Sequence, residues 1–263
     1  EDPNDLDQLH SLAHALMAVP RWRGARMLGD YEIGGTRYSE ILELLSAIYN
    51  GEVLPVRRPA EGTDIGEMLP YRRLTFGLDA MELRGRSDAS YSALMSIKDY
   101  PEAASPELTH QLLRLPVEML LTESLMPVIR SSKLGTGSVG FGDHHLSVLM
   151  RAPTLESLDV VTASCAAALA DAGAVAVRED VNLEPGFWGQ LPGNESFIVR
   201  RALISSANMA CFGSLHGFAM GQASGNHWGD AVTLLSTTSA TPFFFNFHQG
   251  DLGNFSVIGP SGS

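Results

Sequence analysis

Apolar residues at helical spacing open the chain. Leu6, Leu9, Leu12, Ala13 and Leu16 mark one face of a segment from Asp5 to Val19, and Pro20 ends it. Tyr38 to Tyr49 repeats the pattern through Ile41, Leu42, Leu44, Leu45 and Ile48, with Asn50-Gly51 as its C-cap. A proline-rich connector from Pro55 to Pro70 follows. The pattern then shortens to strand length: Arg72 to Phe76, Ala80 to Arg84 and Ser90 to Ile97, separated by turn residues. Pro106 opens a helix that runs to Leu115, and the apolar run Met119 to Val128 predicts another strand.

The run Ser131-Ser132-Lys133-Leu134-Gly135-Thr136-Gly137-Ser138 has no periodicity. It is small and polar, as a linker is, and reads as a joint where residues have been cut out. Beyond it, His145 to Arg151 alternates as a strand. Thr154 is placed to N-cap a helix with Glu156 in its first turn, reaching Ala172 and stopping at Gly173. Val175 to Val181 predicts a strand, Glu184 to Leu191 a short helical piece, and Ala202 to Phe212 a helix. Val232 to Leu235 and Pro242 to Phe247 predict strands, and Phe255 to Ile258 a last one. The sum is an α+β fold of mostly antiparallel sheets with helices packed on them. Two lobes are expected, 1–130 and 139–253, with 131–138 as the joint.

Composition narrows the partners. In 263 residues, Lys+Arg 18 against Asp+Glu 30 leave a formal charge of −12. That balance argues against a nucleic-acid grip across this surface, which needs basic patches. No apolar run approaches the length of a membrane span, and no signal peptide is visible. Cys165 and Cys211 sit in apolar stretches without a pairing pattern and read as buried free thiols. Two sequons, Asn194-Glu195-Ser196 and Asn254-Phe255-Ser256, stand without any other sign of secretion.

Few residues suggest chemistry. His144 and His145 would point to opposite faces of a strand, which suits a shared metal poorly. His10 and His14 lack the glutamate of a zinc-protease helix, and Ser214-Leu215-His216-Gly217 is not a nucleophile elbow. Asp79, Glu82, Glu179, Asp180 and Glu184 pair at no defined spacing and read as a charged rim. Trp188 is expected to pack on the sheet while Pro192-Gly193-Asn194 makes a tight turn. In the phenylalanine-rich run, Phe243 and Phe245 share one face, which suits core or interface.

The strongest chemical signal is at the end. A β-prone run feeds into Gly259-Pro260-Ser261-Gly262-Ser263, as a strand feeds a Walker A loop whose backbone amides cradle phosphate. The second glycine, the lysine and the hydroxyl residue of that motif would come next. An ordinary Gly/Ser-rich tail fits the same five residues. On the first reading the chain is a non-catalytic piece of an NTPase. On the second it is a small cytosolic enzyme that binds a phosphorylated ligand through its tail.

An ordered set of segments resembles one family. Gly140-Phe141-Gly142-Asp143-His144-His145, Val177-Arg178-Glu179-Asp180 and Phe187-Trp188-Gly189-Gln190-Leu191-Pro192-Gly193-Asn194 are similar to the CagE/TrbE/VirB-type ATPase of type IV secretion and conjugation systems. Asn226-His227-Trp228-Gly229, Thr241-Pro242 through Asn246-Phe247-His248 and Gly250-Asp251-Leu252-Gly253-Asn254 carry the resemblance on to the terminal loop. Leu74-Thr75-Phe76-Gly77, Glu82-Leu83-Arg84-Gly85 and Ile97-Lys98-Asp99-Tyr100-Pro101 extend it upstream. The resemblance favours the Walker A reading, with 254–263 as the start of a missing RecA-like domain. It implies a parent that uses ATP and Mg²⁺ to power pilus assembly and substrate transfer at the cytoplasmic face of the bacterial inner membrane. It implies docking to inner-membrane and cytoplasmic subunits, self-association of the parent, and no hydrolysis or bound nucleotide here. Ser131 to Ser138 stand where the family has a longer helical insertion.

Overall fold

A computed structural model describes residues 28–102, 105–128, 140–212, 220–227, 229–237, 241–248 and 253. The segment Asp5 to Val19, the joint 131–138 and the terminal residues 254–263 lie outside these. The described chain is α+β. Eleven strands are described: β1 Asp30–Ile33, β2 Thr36–Ser39, β3 Arg73–Phe76, β4 Met81–Arg84, β5 Ala89–Asp99, β6 Glu118–Pro127, β7 Phe141–Ala152, β8 Val175–Arg178, β9 Ala202–Ser205, β10 Thr233–Ser236 and β11 Pro242–Phe245. The helices are α1 Glu40–Asn50, α2 Ile65–Met68, α3 Glu107–Leu113, α4 Leu155–Asp171, α5 Leu183–Trp188 and α6 Ser206–Phe212, with a 3₁₀ turn at Glu195–Phe197.

The centre is a 7-stranded sheet in the order β3-β4-β5-β7-β6, in which β8 also pairs with β5 and β9 with β7. Every pairing is antiparallel. The β6–β7 ladder runs unbroken from Glu118↔Arg151 to Pro127↔Gly142. The β5–β7 ladder runs from Tyr91↔Ala152 to Ser96↔Ser147. The sheet therefore spans the boundary expected between 1–130 and 139–253. Two hairpins stand apart, β1–β2 and β10–β11.

β5 and β7 are buried on both faces, so they read as continuous apolar runs rather than as a clean alternation. Successive side chains still point opposite ways. One face carries Ala93, Met95 and Ile97 with Leu146, Val148 and Met150, packed on Leu108 and Leu112 of α3, Leu158, Cys165 and Leu169 of α4, and Phe212 of α6. The other carries Leu94 and Leu149 with Met81 and Leu83 of β4, under Leu183 and Phe187 of α5. Fully burying a Leu or Phe side chain contributes about 1.5–3 kcal/mol, so these two layers supply most of the driving force.

Local signals fix the helix ends. The Thr154 hydroxyl accepts from the Ser157 amide at 3.1 Å and the Ser157 hydroxyl from the Thr154 amide at 3.2 Å, a capping box at the start of α4. Its buried stripe, Leu158, Thr162, Cys165 and Leu169, keeps helical spacing. Gly173, at φ 80°, ends it in the left-handed conformation that a side chain disfavours. α1 begins two residues later than Tyr38, which lies in β2, and ends at Gly51, also left-handed. Asn50 at its last turn is buried. Its Nδ2 donates to the Leu69 carbonyl at 2.9 Å, and its Oδ1 accepts from the amides of Tyr71 and Arg72. One polar side chain thus ties the helix end to the lead-in of β3.

Three expectations are corrected. The segment Ala202 to Phe212 is not one helix: Ala202–Ser205 pairs with Phe141–His144 as a strand, and the helix begins at Ser206. The Ser206 amide donates to the Gly140 carbonyl at 2.8 Å, and the Ser205 hydroxyl accepts from the Asn208 amide at 3.1 Å. β7 starts at Phe141, four residues before His145, because β6 and β9 both need it as a partner there. β8 ends at Arg178, and Val181 is 80% exposed. The proline-rich connector also holds a helical turn, α2, N-capped by Asp64.

Candidate functional site

The residues singled out as a half Walker A loop, Gly259, Pro260, Ser261, Gly262 and Ser263, lie outside the described residues, as does Trp228. What the structure does place are the polar and aromatic clusters on the two faces of the sheet.

His144 and His145 are adjacent on β7 and face opposite ways, each making its own contacts. His144 is fully buried, with Nε2 2.9 Å from Glu123 Oε1 on β6 and Nδ1 2.6 Å from the Tyr100 hydroxyl. A carboxylate only accepts, so Nε2–H donates to Glu123, and the protonated Tyr100 hydroxyl donates to Nδ1. The rings of Tyr100 and Phe212 pack on the imidazole at 5.4 and 5.8 Å. Burial, reinforced by the Glu123 charge, pushes the Tyr100 phenol above its ordinary value. With the imidazole shut off from solvent and the phenol held protonated, this chain of hydrogen bonds cross-links the end of β5, β6 and β7. It offers no exposed nucleophile. Sequence reading missed Glu123, although a carboxylate inside the apolar run Met119 to Val128 was a visible signal.

On the opposite face, His145 Nδ1–H donates to the Arg200 carbonyl at 2.9 Å. Burial pushes its pKa down, against a smaller opposing effect of that hydrogen bond. The Arg200 side chain turns to Glu179, with Nε to Oε1 at 2.6 Å and Nη2 to Oε2 at 3.3 Å. Glu179 is 2% exposed, so it is no part of a charged rim: a guanidinium neutralises it inside the fold. Beside it Gln190, also buried, donates to the Ser147 hydroxyl at 2.8 Å and the Gly186 carbonyl at 2.9 Å. Among the described residues no group of three or more His, Cys, Asp and Glu is arranged to hold a metal.

The other carboxylates diverge. Glu82 pairs with Arg84, and Asp79 with Arg178, which also meets Asp159 at 2.8 Å. Asp180 accepts from the Val181 amide. Glu184, in the first turn of α5, is exposed. Cys165 is buried and its thiol is pushed up to about 11, whereas Cys211 is half-buried, and both are free.

Trp188 packs as expected, against Phe187, Tyr49 and Phe76, with ring centroids 5.1, 5.7 and 6.3 Å away. The turn after it closes at Gly193, φ 87°, and Asn194 Nδ2 donates back to the Trp188 carbonyl at 3.0 Å. Between this turn and α5 lies an open cleft of about 410 Å³, lined by Glu184, Pro185, Trp188, Asn194 and Phe197. A groove of about 220 Å³ separates α1 from the sheet, with Leu44 and Ile48 facing Met119, Leu120 and Leu149 and with Glu118 and Arg151 at its rim. In β11, Phe243 and Phe245 are the half-buried positions and Phe244 the exposed one.

The ordered motifs just placed on β4, β5, β7, β8 and α5 are those of a type IV transporter component. The family described as "CagE, TrbE, VirB family, component of type IV transporter system" matches residues 26–135 and 129–200, and the chain belongs to that family. The chain is 33% identical over 293 aligned positions to the type IV secretion system protein VirB4 of Bartonella henselae, covering 100% of this chain and 37% of that protein. It is 31% identical to protein VirB4 of Rhizobium radiobacter, over 97% of this chain and 36% of the relative. It is 29% identical to the type IV secretion system protein PtlC of Bordetella pertussis, over 89% and 33%. The chain thus spans about a third of the length of the curated relatives it matches. No helix among the described residues is long and apolar enough to cross a membrane.

Proposed function

We propose that this chain is the non-catalytic N-terminal part of a VirB4-type secretion ATPase, docking the motor to inner-membrane and cytoplasmic subunits of its machine and contributing to contacts between motor copies. One observation carries the reading: relatives named as type IV secretion system proteins align along 100% and 89% of the chain, yet it makes up only 37% and 33% of them. In this reading the parent hydrolyses ATP with Mg²⁺ at the cytoplasmic face of the inner membrane to power pilus assembly and the transfer of protein or DNA. Gly259 to Ser263 form the first half of its phosphate loop, and the lysine such a loop uses is not among them. The formal charge of −12 favours protein partners over nucleic acid for this part.

In the same reading residues 131–138 replace a longer insertion. Two findings support this. The two family matches overlap at 129–135 instead of leaving residues between them, and the alignment to the Bartonella protein is longer than the chain, 293 positions for 263 residues.

The test is enzymatic. This chain should release no phosphate from ATP above the blank, and a version extended to the relatives' full length should hydrolyse it. Turnover that follows the chain itself through purification would overturn the proposal.

A further inference from the structure

The Trp188 cleft has a chemistry that identifies what it takes. The indole is backed by Phe187, Tyr49 and Phe76, which hold it in place, and its remaining surface lines the cleft. Phe197, 43% exposed and carried on a 3₁₀ turn, lines it as well. Glu184, exposed in the first turn of α5, also lines the cleft. Asp79, Glu82 and Glu179 each have an arginine, but no ion pair to Glu184 is found among the described residues. An aromatic face attracts a cation through its quadrupole, Trp most strongly, and an adjacent carboxylate adds a charge-assisted hydrogen bond. Two aromatic side chains and one carboxylate with no ion pair among the described residues, all lining one open cleft, are features a guanidinium or ammonium group recognises. The excess of acidic residues over the whole chain points the same way.

We propose that the cleft between Trp188 and Phe197, with Glu184 at its lip, receives an arginine or lysine side chain from a basic segment of a partner protein. This rests on the docking reading and gives it a place and a chemistry. The partner supplies the positive charge, and its stem lies along Pro185 and the rings while the head meets Glu184. The carbonyl-capping Asn194 keeps the turn, and with it Phe197, at a fixed distance from α5.

The probe is a nonapeptide of alternating glycine and arginine, titrated into isotope-labelled chain. A twin peptide with citrulline in place of arginine serves as the neutral control. The arginine peptide is expected to shift the indole N–H resonance of Trp188 and to bind about tenfold more tightly than the citrulline peptide at low salt. Glu184→Gln should remove most of that difference. Phe197→Ala, at a position 43% exposed, should weaken binding severalfold. Equal binding of the two peptides overturns the proposal in favour of an apolar or proline-rich occupant. Arginine binding unaffected by both Glu184→Gln and Phe197→Ala overturns it in favour of diffuse attraction to an acidic surface.

A second arm separates the two readings: co-purification of the chain with the other components of a type IV machine expressed together. Wild-type association that survives Glu184→Gln and Phe197→Ala overturns the cleft and leaves docking in force through another face. No association of the wild type overturns the docking reading too.

Discussion

Arg200 reaches Glu179 with both Nε and Nη2, at 2.6 and 3.3 Å, and the carboxylate it neutralises is almost wholly buried. Removing one partner of such a pair leaves a charge in a medium that solvates it poorly. Arg200→Ala should therefore destabilise the fold by about 2–3 kcal/mol, near the lower end for buried pairs because 31% of the arginine side chain meets solvent. Glu179→Gln keeps one hydrogen bond and should cost less. Urea midpoints of the two variants, at unchanged slope, measure the difference, and equal midpoints would refute it.

Tyr100→Phe removes one hydrogen bond to His144 without changing shape. The expected loss is about 1 kcal/mol. His144→Ala also empties a fully buried site and strands both Tyr100 and Glu123, and should cost about 3 kcal/mol or more. Thermal unfolding of the two variants should rank them in that order.

The His145 ring titrates below its usual 6.5 in the folded chain, chiefly because burial disfavours the imidazolium. The unfolded chain takes up that proton at the ordinary pH, so the unfolded state gains as the solution turns acid. The stabilisation is full above pH 6.5 and fades as pH falls from there through the lower folded value. The groups that act on the ring, the Arg200 carbonyl, Glu179, Arg201 and, from the other face of β7, His144, are present in a His145→Gln variant as well, and that variant should lose stability less steeply between neutral pH and pH 5. Parallel slopes for the two proteins would assign the acid sensitivity elsewhere.

The two thiols should label at different rates. Cys165 is buried under the sheet and its thiol is held up to about 11, while Cys211 is half-buried near the end of α6. A maleimide at pH 8 should modify Cys211 in the native chain and Cys165 only after denaturant is added. Mass spectrometry of the digested protein reads both sites at once.

Much of the architecture was written locally. The capping Thr154, the stripe Leu158, Thr162, Cys165 and Leu169, and the terminating Gly173 describe α4 without any knowledge of what it packs on. The same holds for the end of α1 at Asn50-Gly51. β9 was not legible in this way. Ala202 to Ser205 are a strand only because Phe141 to His144 offer free backbone groups on that side of β7, a partner some sixty residues away. The Ser205–Ser206 pair at the break did carry a helix-start signal, and the apolar continuity of the run masked it.

The clusters divide similarly. That His144 and His145 separate followed from strand geometry alone. The burial of Glu179 did not, because it depends on Arg200, which is distant in pattern though near in the fold. The aromatic packing of Trp188 was readable from the cost of exposing an indole, but that it shares an open cleft with Phe197 became visible only in the fold.

The stem formed by β6 and β7 has a consequence for evolution. Its ladder is complete from Glu118↔Arg151 to Pro127↔Gly142, and the Val128 amide closes it on the Phe141 carbonyl at 3.0 Å. Ten consecutive pairs hold the two strands in register whatever joins residues 128 and 141. Doubling the length of such a connection adds only about 0.6 kcal/mol of closure entropy. Lineages can therefore lengthen, shorten or exchange that connection almost freely, and an engineer can graft a reporter there, while the sheet keeps its order.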